Sequence, residues 1–171
     1  MKKLIVFATL LALLLTAFAG CASGKSKKGG ASAGPEAAVE NYIEVIYSAK
    51  TPSKSDLRRI MPDELWEARG GFDSLYEELV EERESEIEDA KEEYGNNYKV
   101  TYEILSKEKM DADMLEEGRE RFEDDGLNGK KLTQAYIIEV EVTREGSEGE
   151  DSVILSLISY QYDGSWYVMP D

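Results

Sequence analysis

The chain has 171 residues, with 20 Lys and Arg against 36 Asp and Glu, a formal net charge of −16 at neutral pH, one cysteine and no histidine. That balance excludes nucleic acid as a natural partner, and the missing imidazole removes histidine bases, Ser-His-Asp triads and histidine-held metals together. A single cysteine allows no disulfide within the chain, so a domain of this length holds together by packing alone.

Residues 1–21 begin with Lys2 and Lys3, continue through an almost unbroken apolar run over 4–18, and end in Phe18-Ala19-Gly20-Cys21. This is the order of an export signal followed by a processing site. At about 1.5 Å per residue the apolar run reaches only about 22 Å, short of the roughly 30 Å of bilayer hydrocarbon. Ala17-Phe18-Ala19 also satisfies the small-x-small rule for ordinary secretory cleavage before Gly20. The small residues directly before the lone cysteine resemble the lipobox of bacterial lipoproteins, with Phe18 where that motif usually carries leucine. The resemblance implies removal of residues 1–20, a diacylglyceryl group on the Cys21 sulfur, and a protein held at the extracytoplasmic face of a bacterial membrane. The mature chain then carries 18 basic against 36 acidic residues.

The stretch 21–34 contains no large apolar side chain and much Gly and Ser. It reads as a flexible tether with a root-mean-square span of about 20 Å and a taut limit of about 45 Å. Lys25, Lys27 and Lys28 suit anionic lipid, whereas the acidic sequence beyond is repelled by it. Gly24-Lys25-Ser26 lacks the earlier glycine and the preceding strand of a phosphate-binding loop.

A single domain is predicted over 35–171. Pro35 is placed as the first residue of a helix in which Ala38, Val39, Tyr42, Ile43, Ile46 and Tyr47 form one apolar stripe, stopped by Pro52. Ser53-Lys54-Ser55-Asp56 is a capping pattern for a second short helix with Leu57, Ile60 and Met61 inward. Pro62-Asp63-Glu64 restarts a helical turn carrying Leu65 and Trp66, closed by Gly70-Gly71. The longest helix is predicted over 72–94, apolar along one side and rich in Glu on the other, ending at Gly95. Tyr76, Val80, Arg83, Ile87, Ala90 and Tyr94 fit a heptad seam interrupted by Arg and Ala, so packing across a sheet of its own domain is favoured over a coiled-coil partner.

Tyr98, Val100, Tyr102 and Ile104 alternate with polar residues as a strand with one buried face. An acidic helix over 113–124 carries Met114, Leu115 and Phe122. The last third reads as sheet: a strand through Tyr136, Ile138, Val140 and Val142, a turn at Gly146 and Gly149, a return over 153–162, and an Asp163-Gly164 hairpin into Ser165-Trp166-Tyr167-Val168-Met169.

This α+β element order, with its Asp163-Gly164-Ser165-Trp166-Tyr167 ending, resembles the nuclear-transport-factor-2-like superfamily, and in particular its small bacterial lipoproteins. The resemblance implies N-terminal helices packed on a bent antiparallel sheet that wraps them into a cone, with a pocket at the open end. It also implies an alternative function, since isomerases and dehydratases of that superfamily pair an acid with a tyrosine inside the cone, where Tyr42 or Tyr47 would lie. Glu139 and Glu141 fall opposite the Ile138 and Val140 face, so no buried acid is evident for such a pair, and the tyrosines read as core packing. Asp124-Asp125-Gly126-Leu127-Asn128-Gly129 imitates a calcium loop but has Gly126 at the third position and Ala135 at the twelfth, where a bidentate Glu belongs. No cofactor or metal is expected.

A non-enzymatic binding or accessory module is the favoured reading, with two candidate surfaces. Tyr42, Ile46, Trp66, Tyr136 and Trp166 form a candidate pocket for a small apolar or aromatic ligand. Glu77, Glu78, Glu81, Glu84, Glu88 and Glu92 form a candidate acidic face for a basic protein partner.

Overall fold

The computed structural model describes residues 32–169. The signal, Cys21 and the tether up to residue 31 lie outside the described residues. The elements follow in the expected order: α1 (Pro35–Ile46), α2 (Lys54–Ile60), α3 (Asp63–Ala68), α4 (Phe72–Tyr94), β1 (Lys99–Lys109), α5 (Ala112–Asp124), a single tight helical turn (Gly129–Lys131), β2 (Leu132–Glu145), β3 (Glu150–Tyr162) and β4 (Ser165–Met169).

Local chemistry accounts for most of these boundaries. Pro35 starts α1, its fixed φ already helical and its missing N–H one that no helix would have satisfied. Ser53 and Asp56 form both halves of a capping box on α2, with the Ser53 N–H donating to the Asp56 carboxylate at 3.0 Å. The hydrogen bond from the Ser53 side chain, with Arg59 adding its charge, holds the Asp56 carboxyl below its ordinary range. Asp163 and Gly164 both take positive φ, 50° and 81°. That is the two-residue turn whose twist matches the flanking strands, and it ties β3 to β4 in the predicted hairpin.

The four strands form one antiparallel meander in sequence order. Ile138 stands opposite Leu157, and Val140 opposite Ile104 and Leu155. These side chains share one face, on which α1 lies: Ala38, Val39 and Ile43 pack with Ile138, Val140, Val142, Leu157, Trp166 and Val168. The fully buried Ser159 hydroxyl donates to the Pro35 carbonyl at 3.0 Å, fastening the start of α1 to β3.

The other face is covered only towards the β3–β4 hairpin, by α5. Phe122 sits edge-on to Tyr160 with ring centroids 5.3 Å apart, and 5.4 Å from Tyr162. Successive residues of β3, Ser159 and Tyr160, are therefore both buried, at 0% and 1% exposure, because each faces a different helical layer. The same cluster continues into α2 and α3 through Leu57, Ile60, Leu65 and Trp66.

Two expectations are corrected here. The sheet is not a cone. It is open, with β1 and β4 as its two edges, and it neither closes nor curls around the helices. The reason lies in the pairing: β4 has five residues and covers only 158–162 of β3, while apolar side chains on both faces of the hairpin end call for helices on both sides rather than a concave wrap on one. The helix across the sheet is also α1 rather than α4. The long helix packs against α3 and meets β1 only through its last turns, where Ala90 and Tyr94 join Tyr98 and Val100. Its apolar stripe is too narrow, flanked by Glu on both sides, to lie flat on a sheet.

Candidate functional site

Between α4 and the group α1–α3 runs a cleft of about 570 Å³. Tyr42 and Ile46, one turn apart on α1, line one wall; Leu57, Ile60 and Met61 from α2 and its end, together with Trp66 from α3, line the base. The opposite wall is α4, which contributes Leu75 and Leu79 and, beside them, Glu78, Glu82 and Glu86. Both sets recur every four residues, so on a helix they form two parallel rows, one apolar against the base and one acidic along the rim.

Arg83 holds α4 to the rest of the domain. It is 4% exposed and is the one buried ionised side chain among the described residues. Its guanidinium pairs with the half-exposed Glu86 carboxylate and donates at 2.8 Å to the Ser48 carbonyl, just beyond the end of α1. A cation at a helix C-terminus meets carbonyls that the helix itself leaves unpaired. Within the seam predicted from sequence Arg83 was an interruption; in the fold it is the contact that sets the width of the cleft.

The candidate pocket of the sequence divides. Tyr42, Ile46 and Trp66 come together in the cleft. Tyr136 and Trp166 pair with each other instead, ring centroids 5.7 Å apart, in the cluster under α1. Lys107, ion-paired with Glu36, lies over the Tyr136 ring at 5.7 Å and closes that side. Trp66 is 3% exposed and meets Phe72 edge-on at 5.3 Å, so it supports the cleft base more than it offers a free surface.

All six glutamates of the candidate acidic face are exposed, and none enters an ion pair among the described residues. Helical spacing places Glu77, Glu81, Glu84, Glu88 and Glu92 on the outward side of α4 and turns Glu78 towards the cleft. Sequence reasoning passed over Glu82, Glu86 and Arg69, and placed Arg83 only in the heptad seam; all four line the cleft with it. The available signal was the doubled four-residue spacing of Leu75 and Leu79 beside Glu78, Glu82 and Glu86.

Tyr47 is half-buried, with the Arg144 guanidinium 5.5 Å over its ring, and burial raises its hydroxyl above the ordinary tyrosine range. Among the described residues no Asp or Glu is buried. The acidic stretch after α5 ends that helix and leads into the tight turn, whose first residues Asn128 caps by accepting from Lys130 N–H at 3.1 Å.

The fold thus defines an open four-stranded antiparallel meander with one helix across one face and an amphipathic cleft at its side. No protein-family profile matches the chain, and neither a curated protein nor a solved structure shows significant similarity to it.

Proposed function

We propose that the mature chain is a lipid-anchored, extracytoplasmic, non-enzymatic binding module whose cleft takes a cationic amphipathic segment of a partner protein. The observation that carries this reading is the double row on α4, with Leu75 and Leu79 towards an apolar base and Glu78 and Glu82, neither in an ion pair among the described residues, along the rim above them. An apolar side chain of the partner would enter the base, and its Lys or Arg would meet the rim, joining the pocket and the acidic face into one surface. The non-enzymatic part of the reading is supported by the sequence, which has no histidine, and by the lack of a buried carboxylate among the described residues beside Tyr42 or Tyr47.

The anchor rests on the lipobox resemblance at Cys21. Two or more acyl chains give stable attachment where a single chain gives only reversible binding. Cys21→Ser is expected to move the protein from the membrane pellet to the soluble fraction after cell fractionation. A variant that remains wholly in the pellet would refute attachment through this residue.

Binding is tested with a basic amphipathic helical peptide of alternating Leu and Lys faces, titrated against the full mature chain. Glu78→Gln and Glu82→Gln are each expected to weaken it roughly threefold to fivefold, and the effect should shrink as salt shortens the screening length below about 10 Å. Leu79→Asp is expected to abolish binding, because it places a charge on the apolar wall. Unchanged affinity in Leu79→Asp would move the partner off the cleft and onto the outer acidic stripe.

A further inference from the structure

The sheet leaves a second surface that the cleft does not use. β2 pairs with β3 along its whole length, but on the outer side β4 covers only residues 158–162, so among the described residues nothing pairs with the outer edge of β3 over 150–157. Eight residues at about 3.4 Å each give an open edge of roughly 27 Å. Its backbone N–H and C=O groups form a template for another strand. Val153 and Ile154, at its centre, are 44% and 60% exposed. Being successive, they present one apolar side chain to each face, Val153 beside Val142 and Ile154 beside Glu141.

The other edge of the sheet shows what protection looks like. β1 carries Lys99, Glu103, Lys107, Glu108 and Lys109 and is interrupted by an irregularity between Ile104 and Ser106. Charges and bulges of this kind discourage edge-to-edge pairing. The β3 edge has no bulge and is charged only at its first two residues: Ser152-Val153-Ile154-Leu155-Ser156-Leu157 contains no charge and no proline, and its register with β2 is regular over these residues.

The charge around the edge selects its occupant. Glu150 and Asp151 lie on the strand itself, Glu145 and Glu148 at the adjoining turn, and Glu139 and Glu141 on the neighbouring strand, on the same face as Ile154. Arg144, opposite Asp151 in the β2–β3 pairing, lies over the Tyr47 ring. A second copy of the chain would bring the same carboxylates on a molecule of net charge −16. We propose that the open edge of β3 over residues 150–157 receives an extended, basic segment of a partner protein by strand addition, with Lys or Arg on the Ile154 face and apolar side chains on the Val153 and Leu155 face. Main-chain hydrogen bonds supply the affinity in this mode, and the alternating side chains supply the selection.

The test uses the full mature chain with Cys21→Ser, and the probe acetyl-Lys-Val-Lys-Val-Lys-Val-Lys-amide. The expected result is slowed amide exchange confined to residues 150–157 and an affinity at least about tenfold higher than that of the Glu-for-Lys peptide. An analogue N-methylated at alternate residues should not bind, because its hydrogen-bonding edge is removed. Val153→Lys with Ile154→Lys should weaken the Lys–Val peptide by about tenfold or more, while leaving the melting temperature unchanged because both side chains are exposed. Absence of binding, or equal binding of the N-methylated analogue, would overturn the proposal. So would sedimentation showing a dimer, in the absence of peptide, that Val153→Lys with Ile154→Lys dissolves, since the occupant would then be a second copy. If Leu79→Asp abolishes binding and the edge variant does not, the peptide lies in the cleft; the edge proposal then fails and the cleft reading stands.

Discussion

Phe122→Ala is expected to destabilise the domain by about 3–5 kcal/mol, the usual cost of removing a buried aromatic side chain from a packed site. Phe122 is 2% exposed, and its ring contacts Tyr160 and Tyr162 together. The rest of α5 gives little to replace it. Met114 is 37% exposed, and the helix carries four Glu and two Asp against two Arg, with a further Asp, Asp111, as its N-cap. It is otherwise attached through the partly buried Leu115, packed against the same cluster, and through the Arg119 Nε–H donating to the Leu132 carbonyl at 3.1 Å. Loss of the ring should therefore release α5 before the rest of the sheet unfolds, uncovering Tyr160 and Tyr162. Chemical denaturation checks the magnitude, and amide exchange across Ala112–Asp124 checks the location. Met114→Ala is the control, expected to cost under about 1 kcal/mol because its side chain is already in part hydrated. Equal effects of the two substitutions would show that α5 is not held by Phe122.

The second large effect is expected at Gly146, in the turn between β2 and β3. A Cβ added there would lie 1.8 Å from the Tyr94 carbonyl oxygen and 2.7 Å from its carbon, both backbone atoms that no rotamer change can move. The turn is closed by the Gly146 N–H donating to the Gly149 carbonyl at 2.9 Å, and it caps α4 through the Glu148 N–H donating to the Tyr94 carbonyl at 3.3 Å. Alanine at 146 must lift the turn off the helix, losing that cap and uncovering Tyr94, which is 4% exposed. Overpacking and a lost hydrogen bond together come to about 2–4 kcal/mol. For a chain of this size that lowers the melting temperature by roughly 5–15 °C. At Gly149 an added Cβ would meet its nearest atom at 3.3 Å, so Gly149→Ala should cost distinctly less. A Gly146→Ala protein that melts within about 1 °C of its parent would mean that the turn is not seated on α4.

These two sites bear on the proposed function through α4. The helix is held at its start by Phe72, in its middle by Arg83 and at its end by the Gly146 turn, and the cleft is the space left between those supports. Its acidic rows stay exposed because its apolar residues are used at those supports rather than along a continuous seam. The coiled-coil pattern of Tyr76, Val80, Arg83, Ile87, Ala90 and Tyr94 is thus explained within the domain: Arg83 pairs with the end of α1, and Ala90 and Tyr94 pack with Tyr98.

The order of the elements and most of their ends were legible in the sequence, because those depend on interactions within a few residues. Pro35, the Ser53 and Asp56 capping pair, Gly95 after α4 and the Asp163-Gly164 turn act locally, and each stands where its chemistry required. The alternation through Tyr136, Ile138, Val140 and Val142 likewise named the face of β2 that α1 covers. Tertiary structure alone decided which of two amphipathic helices lies on the sheet, whether the sheet closes, and which of the predicted pocket residues meet. Periodicity states that a helix has an apolar side but not what that side will touch. α1 presents the broad, unbroken stripe of Ala38, Val39, Tyr42 and Ile43 and lies flat on the strands, while α4, with its stripe hemmed in by glutamates, stands off and leaves a cleft. Tyr136 and Trp166 parted from Ile46 and Trp66 for the same reason: they lie under the helix that docked, Ile46 and Trp66 face the helix that did not, and Tyr42 reaches both.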